Sequence, residues 1–320
     1  MTPLLSVVAP IKDAAFWIEH LVQKLLAQTL ASQAEIIFVD SGSTDGTIDI
    51  LKKYPVQVIQ IRPDEFNHGE TRNVGVRAAK GKYVVLTVQD AVPENEYWLQ
   101  SLLDGFIDDE VVAVSGQQIV SHDLDKNPLR WFRPISDPSI KRVQLKPGEF
   151  DQLEPARQRE MASLDDVTTC YRKEIMDIMP FEKTAFGEDF IWAKKALQKG
   201  YALVYSDFSK VYHYHHDEPD FVFKRCMVEW LSIYKSFKLL PTNPALSFKQ
   251  QLSIIKLLFT LKELSISKKI FWLRFNQKSN AAAEKAYKEF MQAYNNGDAA
   301  VNEAYNLYCN KVPSAKKWAT

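Results

Sequence analysis

Glu35-Ile36-Ile37-Phe38-Val39 leads without a break into Asp40-Ser41-Gly42-Ser43-Thr44-Asp45-Gly46-Thr47. A short apolar run bounded by turn formers reads as a buried strand. The segment after it is dense in residues that turn the chain and cap helices. A helix is therefore expected over about 45–53, with Ile48 and Leu51 inward. The same order recurs on both sides. Upstream, Leu4-Leu5-Ser6-Val7-Val8 ends at Pro10, and residues 14–28 carry Ile18, Leu21, Val22, Leu25 and Leu26 at helical spacing. Downstream come a strand over Val56 to Ile61, a helix over 70–79 stopped near Gly81, and a strand over Tyr83 to Leu86. A helix over 95–106 and a strand over Val111 to Val114 follow. Strands separated by helices imply a parallel sheet with right-handed crossovers. Ligands of such sheets bind beyond the carboxyl ends of the strands. Those ends are Pro10 to Asp13, Asp40 to Asp45, Asn67 to Asn73 and Gln89-Asp90.

Residues 117–165 are rich in Pro and charge and read as a long, partly irregular excursion, a lid or an acceptor-side loop. Beyond it, Thr168 to Tyr171 reads as a strand. Glu188 to Lys199 reads as a helix with Phe190, Ala193 and Leu197 on one side and Gly200 as its stop. Ala202 to Tyr205 and Lys210 to Tyr214 read as two extended pieces. From about residue 218 the pattern is helical to the end. Phe248, Leu252, Ile255, Leu258 and Leu261 fall on one stripe there.

Hydrophobic residues make up 46% of the 320, enough for one large domain or two smaller ones. The formal net charge is zero, so nucleic acid is not an expected partner. Residues 241–320 carry 12 Lys or Arg against 5 Asp or Glu, a local +7 that leaves −7 on the rest. A basic tail of this kind suits an anionic surface. Cys170, Cys226 and Cys309 are far apart and read as reduced thiols of a cytoplasmic protein. No signal peptide is expected from the first residues. No apolar run approaches the ~20 residues that span a bilayer.

The chain has neither Gly-x-Gly-x-x-Gly after its first strand nor a Gly-Lys-Ser/Thr loop, which argues against a dinucleotide-binding domain and a P-loop enzyme. Asp40 is placed to accept from a base N–H or a ribose hydroxyl, while Ser43 and Asp45 are equally suited to capping a helix. Arg72, at a helix start beside free backbone donors, suits a diphosphate. A surface arginine paired to Glu70 or Asp64 explains it as well. Asp90 offers one carboxylate to a hard divalent cation and Gln89 a neutral carbonyl. A turn-forming Asp before Pro93 is the plainer alternative. His213, His215 and His216 are three of the chain's six histidines. In an extended segment 213 and 215 point to the same side, so the two can share a metal. Asp189 opens a helix after Gly187. There the helix dipole favours an ionised carboxylate, the state a general base needs.

Together these marks resemble the inverting glycosyltransferases of family 2. They are Val7-Val8-Ala9-Pro10, Val39-Asp40-Ser41-Gly42-Ser43-Thr44-Asp45-Gly46-Thr47, Arg72-Asn73-Val74-Gly75, the acid after strand four, Gly187-Glu188-Asp189 and the late histidine. The resemblance covers about residues 4–235. It implies an α/β fold of the GT-A nucleotide-sugar type, with a mostly parallel sheet flanked by helices. It also implies a catalytic domain over 1–235 and a C-terminal helical region over 236–320. Pro10, Asp40, Arg72, Asn73 and Gln89 would bind the nucleotide-sugar donor. Asp90, His213 and His215 would bind a divalent metal, Mg or Mn, and Asp189 would be the catalytic base. One departure is that Val88 stands where the usual Asp-x-Asp metal motif has its first acid. Phe66 to Asn73 and Leu86 to Ala91 are similar to the bacterial rhamnosyltransferases of O-antigen synthesis. That likeness implies dTDP-L-rhamnose as donor and a glycan acceptor, lipid-linked in such pathways. The basic C-terminal helices, where Trp272, Phe271, Leu273 and Phe275 stand beside Lys268, Lys269 and Arg274, suit peripheral contact at the inner face of the cytoplasmic membrane, with a helix packed on the catalytic domain or on a second subunit of a homo-oligomer as the alternative. A UDP-hexose or UDP-N-acetylhexosamine transferase of the same family, and a non-catalytic nucleotide-sugar-binding scaffold, are the alternatives.

Overall fold

The computed structural model describes residues 2–309. The expectation of helix to the chain's end therefore lies, for 310–320, outside the described residues. The chain forms two compact units. The first holds everything through Ser121, with Trp131–Thr184 and Glu188–Tyr214. The second holds His122–Arg130, Ala185–Gly187 and the chain from His215 onward.

The first unit begins as the apolar runs dictate, with β1 (Leu5–Ile11), α1 (Ile18–Leu26), β2 (Ala34–Asp40), α2 (Thr47–Leu51), β3 (Gln57–Gln60), α3 (His68–Ala78) and β4 (Tyr83–Thr87). There follow β5 (Val92–Pro93), α4 (Trp98–Leu103), β6 (Val111–Ile119), β7 (Ile140–Val143), α5 (Pro155–Met161), β8 (Thr168–Arg172), α6 (Lys173–Ile178), α7 (Glu188–Gln198) and β9 (Ala202–Tyr212). The nine strands form one sheet in the order β3-β2-β1-β4-β8-β6-β9-β5, with β7 also on β9. Strands β1 to β4 are mutually parallel. Strand β8 runs antiparallel to both β4 and β6, and β9 runs parallel to β6. The carboxyl ends of β1, β2, β4, β6 and β9 and the amino end of β8 therefore share one edge. Thr87 faces Thr168 there.

Beneath that edge lies a core in which Leu5, Val7, Ile18, Leu21, Phe38, Val85, Trp98, Leu102 and Val204 are all fully or nearly fully buried. Helix α3 sits hard on the sheet because Gly75 lets it. A Cβ there would meet Val8 Cγ1 at 2.2 Å and Val39 Cγ2 at 3.2 Å. Asn67 caps that helix by accepting from the Glu70 amide. Helix α7 follows Gly187, whose φ of 81° few other residues tolerate. It buries Phe190, Trp192, Ala193, Ala196 and Leu197.

The first unit departs from the sequence reading in several places, the unexpected β5 and the antiparallel β8 among them. The two late extended pieces are one strand, β9, because Ser206 and Ser209 are buried within it, Ser206 Oγ accepting from the Phe208 amide and the Ser209 hydroxyl donating to Trp98 O. The excursion over 117–165 holds part of β6, all of β7 and α5. Strand β7 escaped notice because Ile140 and Lys141 are exposed, which erases the alternation. Helix α6 was not foreseen.

The second unit contains α8 (Pro219–Phe237), α9 (Phe248–Thr260), α10 (Ile266–Asn295) and α11 (Asp298–Cys309). Met227, Leu231, Tyr234, Ala286, Phe290 and Val301 join α8, α10 and α11 in one apolar cluster. A smaller cluster of Leu258, Leu264 and Trp272 joins α9 to α10. The stripe expected near 248–264 divides. Leu258 is buried, whereas Phe248 is 75% exposed and Leu252 49%. Helix α9 thus has one apolar face inward and a second outward. Among the described residues no helix is long and apolar enough to cross a membrane.

Candidate active site

The shared edge collects the residues that can act on a ligand. On one side the loops after β1 and β2 are stitched together. Asp13, Ala14 and Ala15 donate their amides to Ser43 Oγ (2.8 Å), Thr47 Oγ1 (2.8 Å) and Asp45 Oδ2 (2.9 Å). Thr44 donates back to Asp13 Oδ1 (2.8 Å). Asp13 adopts φ 45° to do so. Asp40 is fully buried, and its carboxylate accepts from the amides of Gly42 and Ser43 and from the Ser43 hydroxyl. Asp45 holds its own Thr47 and is not the cap of α2, which begins after Gly46. Hydrogen bonds from Thr47 and Ala15 lower the Asp45 pKa, though burial acts the other way. Pro10 lies in β1 opposite Val39. Gln89 accepts from the Lys12 amide at 2.8 Å.

At the centre of the edge α3, the chain before β8, and α7 bring three carboxylates, Glu188, Asp166 and Asp189, around one guanidinium. Arg72, 6% exposed, contacts Glu188 at 2.7 Å and Asp166 at 3.3 Å. Neither Glu70 nor Asp64 is its partner: Asp64 pairs with Arg62 on the surface. Asp166 also accepts from the Tyr171 hydroxyl at 2.6 Å. Asp189, half-buried, accepts from the Phe190 amide at 2.7 Å and from the Asp166 amide at 3.4 Å. Asn73 faces elsewhere. Its amide donates to Phe181 O (2.9 Å) and accepts from Phe181 N (3.1 Å), while Asn67 donates to Thr184 O (2.7 Å). These two asparagines tether the chain that leads into α7.

The electrostatics of this nest run against the helix-dipole expectation. Burial, then the charges of Glu188, Asp166 and Asp165, raise the Asp189 pKa well above the usual carboxylate range. Burial also pushes Asp166 up to about 7, helped by Glu188 and Asp165 and opposed by Arg72 and Tyr171. For Arg72, burial disfavours the charge, but Glu188, Asp166 and Asp189 outweigh it and the guanidinium holds its proton more tightly. One helix end, worth about 0.3–1 kcal/mol to a charge, does not offset desolvation and three acids.

On the far side of β8, His213 Nε2 stands 3.5 Å from Asp90 Oδ1. His213 follows β9 and donates its backbone amide to Ile119 O, the last residue of β6. Gln118, one residue earlier, meets His213 Nδ1 through Oε1 at 2.6 Å and donates through Nε2 to Asp165. An unbroken run of contacts thus leads from Asp90 through His213, Gln118 and the Asp165-Asp166 pair to Asp189. A carboxylate oxygen and an imidazole nitrogen suit a divalent cation. Two donors each ~2.1 Å from one ion stand about 3.0–3.4 Å apart at right to tetrahedral angles. The Asp90–His213 pair therefore fits such an ion with little movement. His215 comes two residues later, on the chain of the second unit.

Asp165, Asp166 and Gln118 were missed by the sequence reading. The rule that finds acids at strand ends looks for carboxyl ends. Asp165-Asp166 precedes its strand, and only the antiparallel run of β8 brings it to this edge.

Residues 6–172 match the Glycosyl transferase family 2 domain. The chain is 30% identical over 230 residues to the O-antigen chain rhamnosyltransferase WbaN of Salmonella anatum, covering 70% of each chain. It is 24% identical over 225 residues to the O-antigen chain rhamnosyltransferase RfbN of Salmonella typhimurium, 69% of each. Among solved structures it is similar to the mannosyltransferase PcManGT of Pyrobaculum calidifontis, in complex with GDP-Man and Mn2+. There the TM-score is 0.54 and the identity 16%, over 96% of this chain and 81% of that one.

Proposed function

The chain belongs to glycosyl transferase family 2, with a GT-A fold, and on that premise we propose that it transfers L-rhamnose from dTDP-L-rhamnose to a glycan hydroxyl, with inversion, in bacterial surface polysaccharide synthesis. The observation that carries the reaction is the nest around Asp189. A half-buried carboxylate with a raised pKa is a stronger base than an exposed one, and it adjoins the contacts that run to Asp90. In the proposed step Asp189 takes the acceptor hydroxyl's proton as the oxygen attacks the anomeric carbon and the bond to the diphosphate breaks. The choice of sugar is supported by the two Salmonella relatives.

We assign Asp90 and His213 to hold a divalent cation, Mg or Mn. When bound, such an ion supplies positive charge to the departing diphosphate. Pro10, Asp40 and Gln89 are assigned to the donor site, Asp40 through the loop it shapes. Asn73 and Arg72 are assigned to holding α7 and its acids in place. For Arg72 this replaces direct contact with the diphosphate, since its guanidinium already faces Glu188 and Asp166.

The deciding experiment offers dTDP-, UDP- and GDP-sugars to the protein and measures stabilisation and then transfer. Turnover of dTDP-L-rhamnose supports the reading. Turnover of a UDP-hexose or UDP-N-acetylhexosamine alone would move it to the alternative within the family, and binding without transfer to any glycan would make it a scaffold.

A lipid-linked acceptor at the cytoplasmic face of a membrane completes the proposal. Phe248, Leu252, Ile255 and Phe259 form the exposed stripe of α9, with Lys249 and Lys256 beside it. That is the pattern of a helix resting in an anionic lipid surface. Trp272, which the sequence suggested for this role, is buried instead. Sedimentation with phosphatidylglycerol vesicles should be lost in a Phe248→Ser, Phe259→Ser double variant. Equal pelleting of that variant would remove the stripe from the proposal.

A further inference from the structure

Gln118 is an exposed residue at the end of β6. Its position is set by pairing with β9, where Gln118 faces Val211 and Ile119 faces Tyr212. That register, with the bond from the His213 amide to Ile119 O, places the His213 ring over the Gln118 amide. We propose that Gln118, oriented by Asp165, is a positioning residue that fixes which nitrogen of His213 carries the hydrogen. The proposal rests on the reading that Asp90 and His213 hold a cation.

The argument uses only donors and acceptors. An ionised carboxylate accepts and cannot donate. Asp165 Oδ2 therefore faces the Gln118 NH2 group, and the amide cannot be turned round without setting oxygen against oxygen. Gln118 Oε1 is left pointing at His213 Nδ1, 2.6 Å away. An amide oxygen also only accepts, so Nδ1 must carry the hydrogen. Nε2 is the nitrogen that faces the Asp90 carboxylate, itself only an acceptor, and with a cation between the two Nε2 supplies the lone pair. With the opposite tautomer Nε2 would present a hydrogen to the ion. Partners that orient a ligating histidine in this way are worth about 10- to 100-fold in metal affinity.

The test has two readouts that need no turnover. The first is the nitrogen spectrum of 15N-histidine-labelled protein loaded with Mg2+, with His213→Ala identifying the signal. His213 should appear with its hydrogen on Nδ1, and Gln118→Leu should lose that preference. The second is Mn2+ titration followed by electron paramagnetic resonance. Gln118→Leu should weaken Mn2+ by about 10- to 100-fold, and Asp165→Ala should weaken it in the same direction by less. Gln118 is exposed, so Gln118→Leu is expected to fold. An unchanged His213 tautomer in Gln118→Leu overturns the proposal, as does unchanged Mn2+ affinity. Wild-type affinity in His213→Ala would instead sink the cation reading on which it rests.

Discussion

Asp40 and Asp189 both stand where the chain leaves one element for another at the same edge of the sheet, yet their neighbours are opposites. Asp40 is met by donors only: two amides and a hydroxyl. Asp189 is met by two amides and by a crowd of acids, Glu188, Asp166 and Asp165. The first region has each charge answered and serves as scaffold. The second keeps more negative charge than Arg72 can answer, and its proton affinities rise in consequence. Burial first, and then the acids beside it, raise the proton affinity of Asp189.

The widest gap between the regions should appear when the same amide replacement is made in each. Asp189→Asn is expected to keep donor binding and lose about 100- to 10,000-fold in transfer rate. Full turnover by that variant, measured under donor saturation, would strip the nest of its role. Arg72→Leu should destabilise the fold by about 3–5 kcal/mol, because it leaves buried acids without their counter-ion. Urea unfolding reads this directly, and a loss under 1 kcal/mol would mean the acids are neutralised some other way. Asp40→Asn should cost about 1.5–3 kcal/mol for the charge-assisted bonds it weakens.

The smallest effect is the most discriminating, because its sign is reversed. Asp166 has a folded-state pKa of about 7, above the ordinary 3.8. Between those values the folded chain binds more of this proton than the unfolded one. The group's contribution is thus fully present below the ordinary value and is lost as pH rises toward 7. Asp166→Asn cannot ionise, so its melting temperature relative to wild type should climb as pH rises from about 4 to about 7. Removing one negative neighbour should also move the acid limb of the transfer rate to lower pH. A melting difference that stays flat across this range would contradict the account of the nest.

The parallel half of the sheet was legible because each strand is a compact apolar run ended by a turn. Glu35 to Val39 before Asp40 is the clearest case, and β2 covers Ala34–Asp40. The sequence also marked Asp40, Asp90, His213 and Asp189 as residues of interest. It did not mark what surrounds them. Arg72 looked like an anion binder because its partners, Asp166 and Glu188, lie far along the chain and reach it only through β8 and α7. Strand direction was the missing quantity, since apolar runs do not say which way a strand points. The outward stripe of α9 was hidden for a related reason. Ile254 and Leu258 on one face and Leu252 and Ile255 on the other give a nearly continuous apolar reading that does not tell inside from outside.

The asparagines of α3 give that helix a mechanical reach beyond its own length. Asn73 grips the peptide group of Phe181 at both ends, and Asn67 takes the carbonyl of Thr184, just ahead of the turn that launches Asp189. Helix α3 itself lies flush on β1 and β2 at Gly75, with no slack for a side chain. Position is thereby inherited from the sheet through two amide clasps, and Asp189 is aligned by the rigid floor of the molecule.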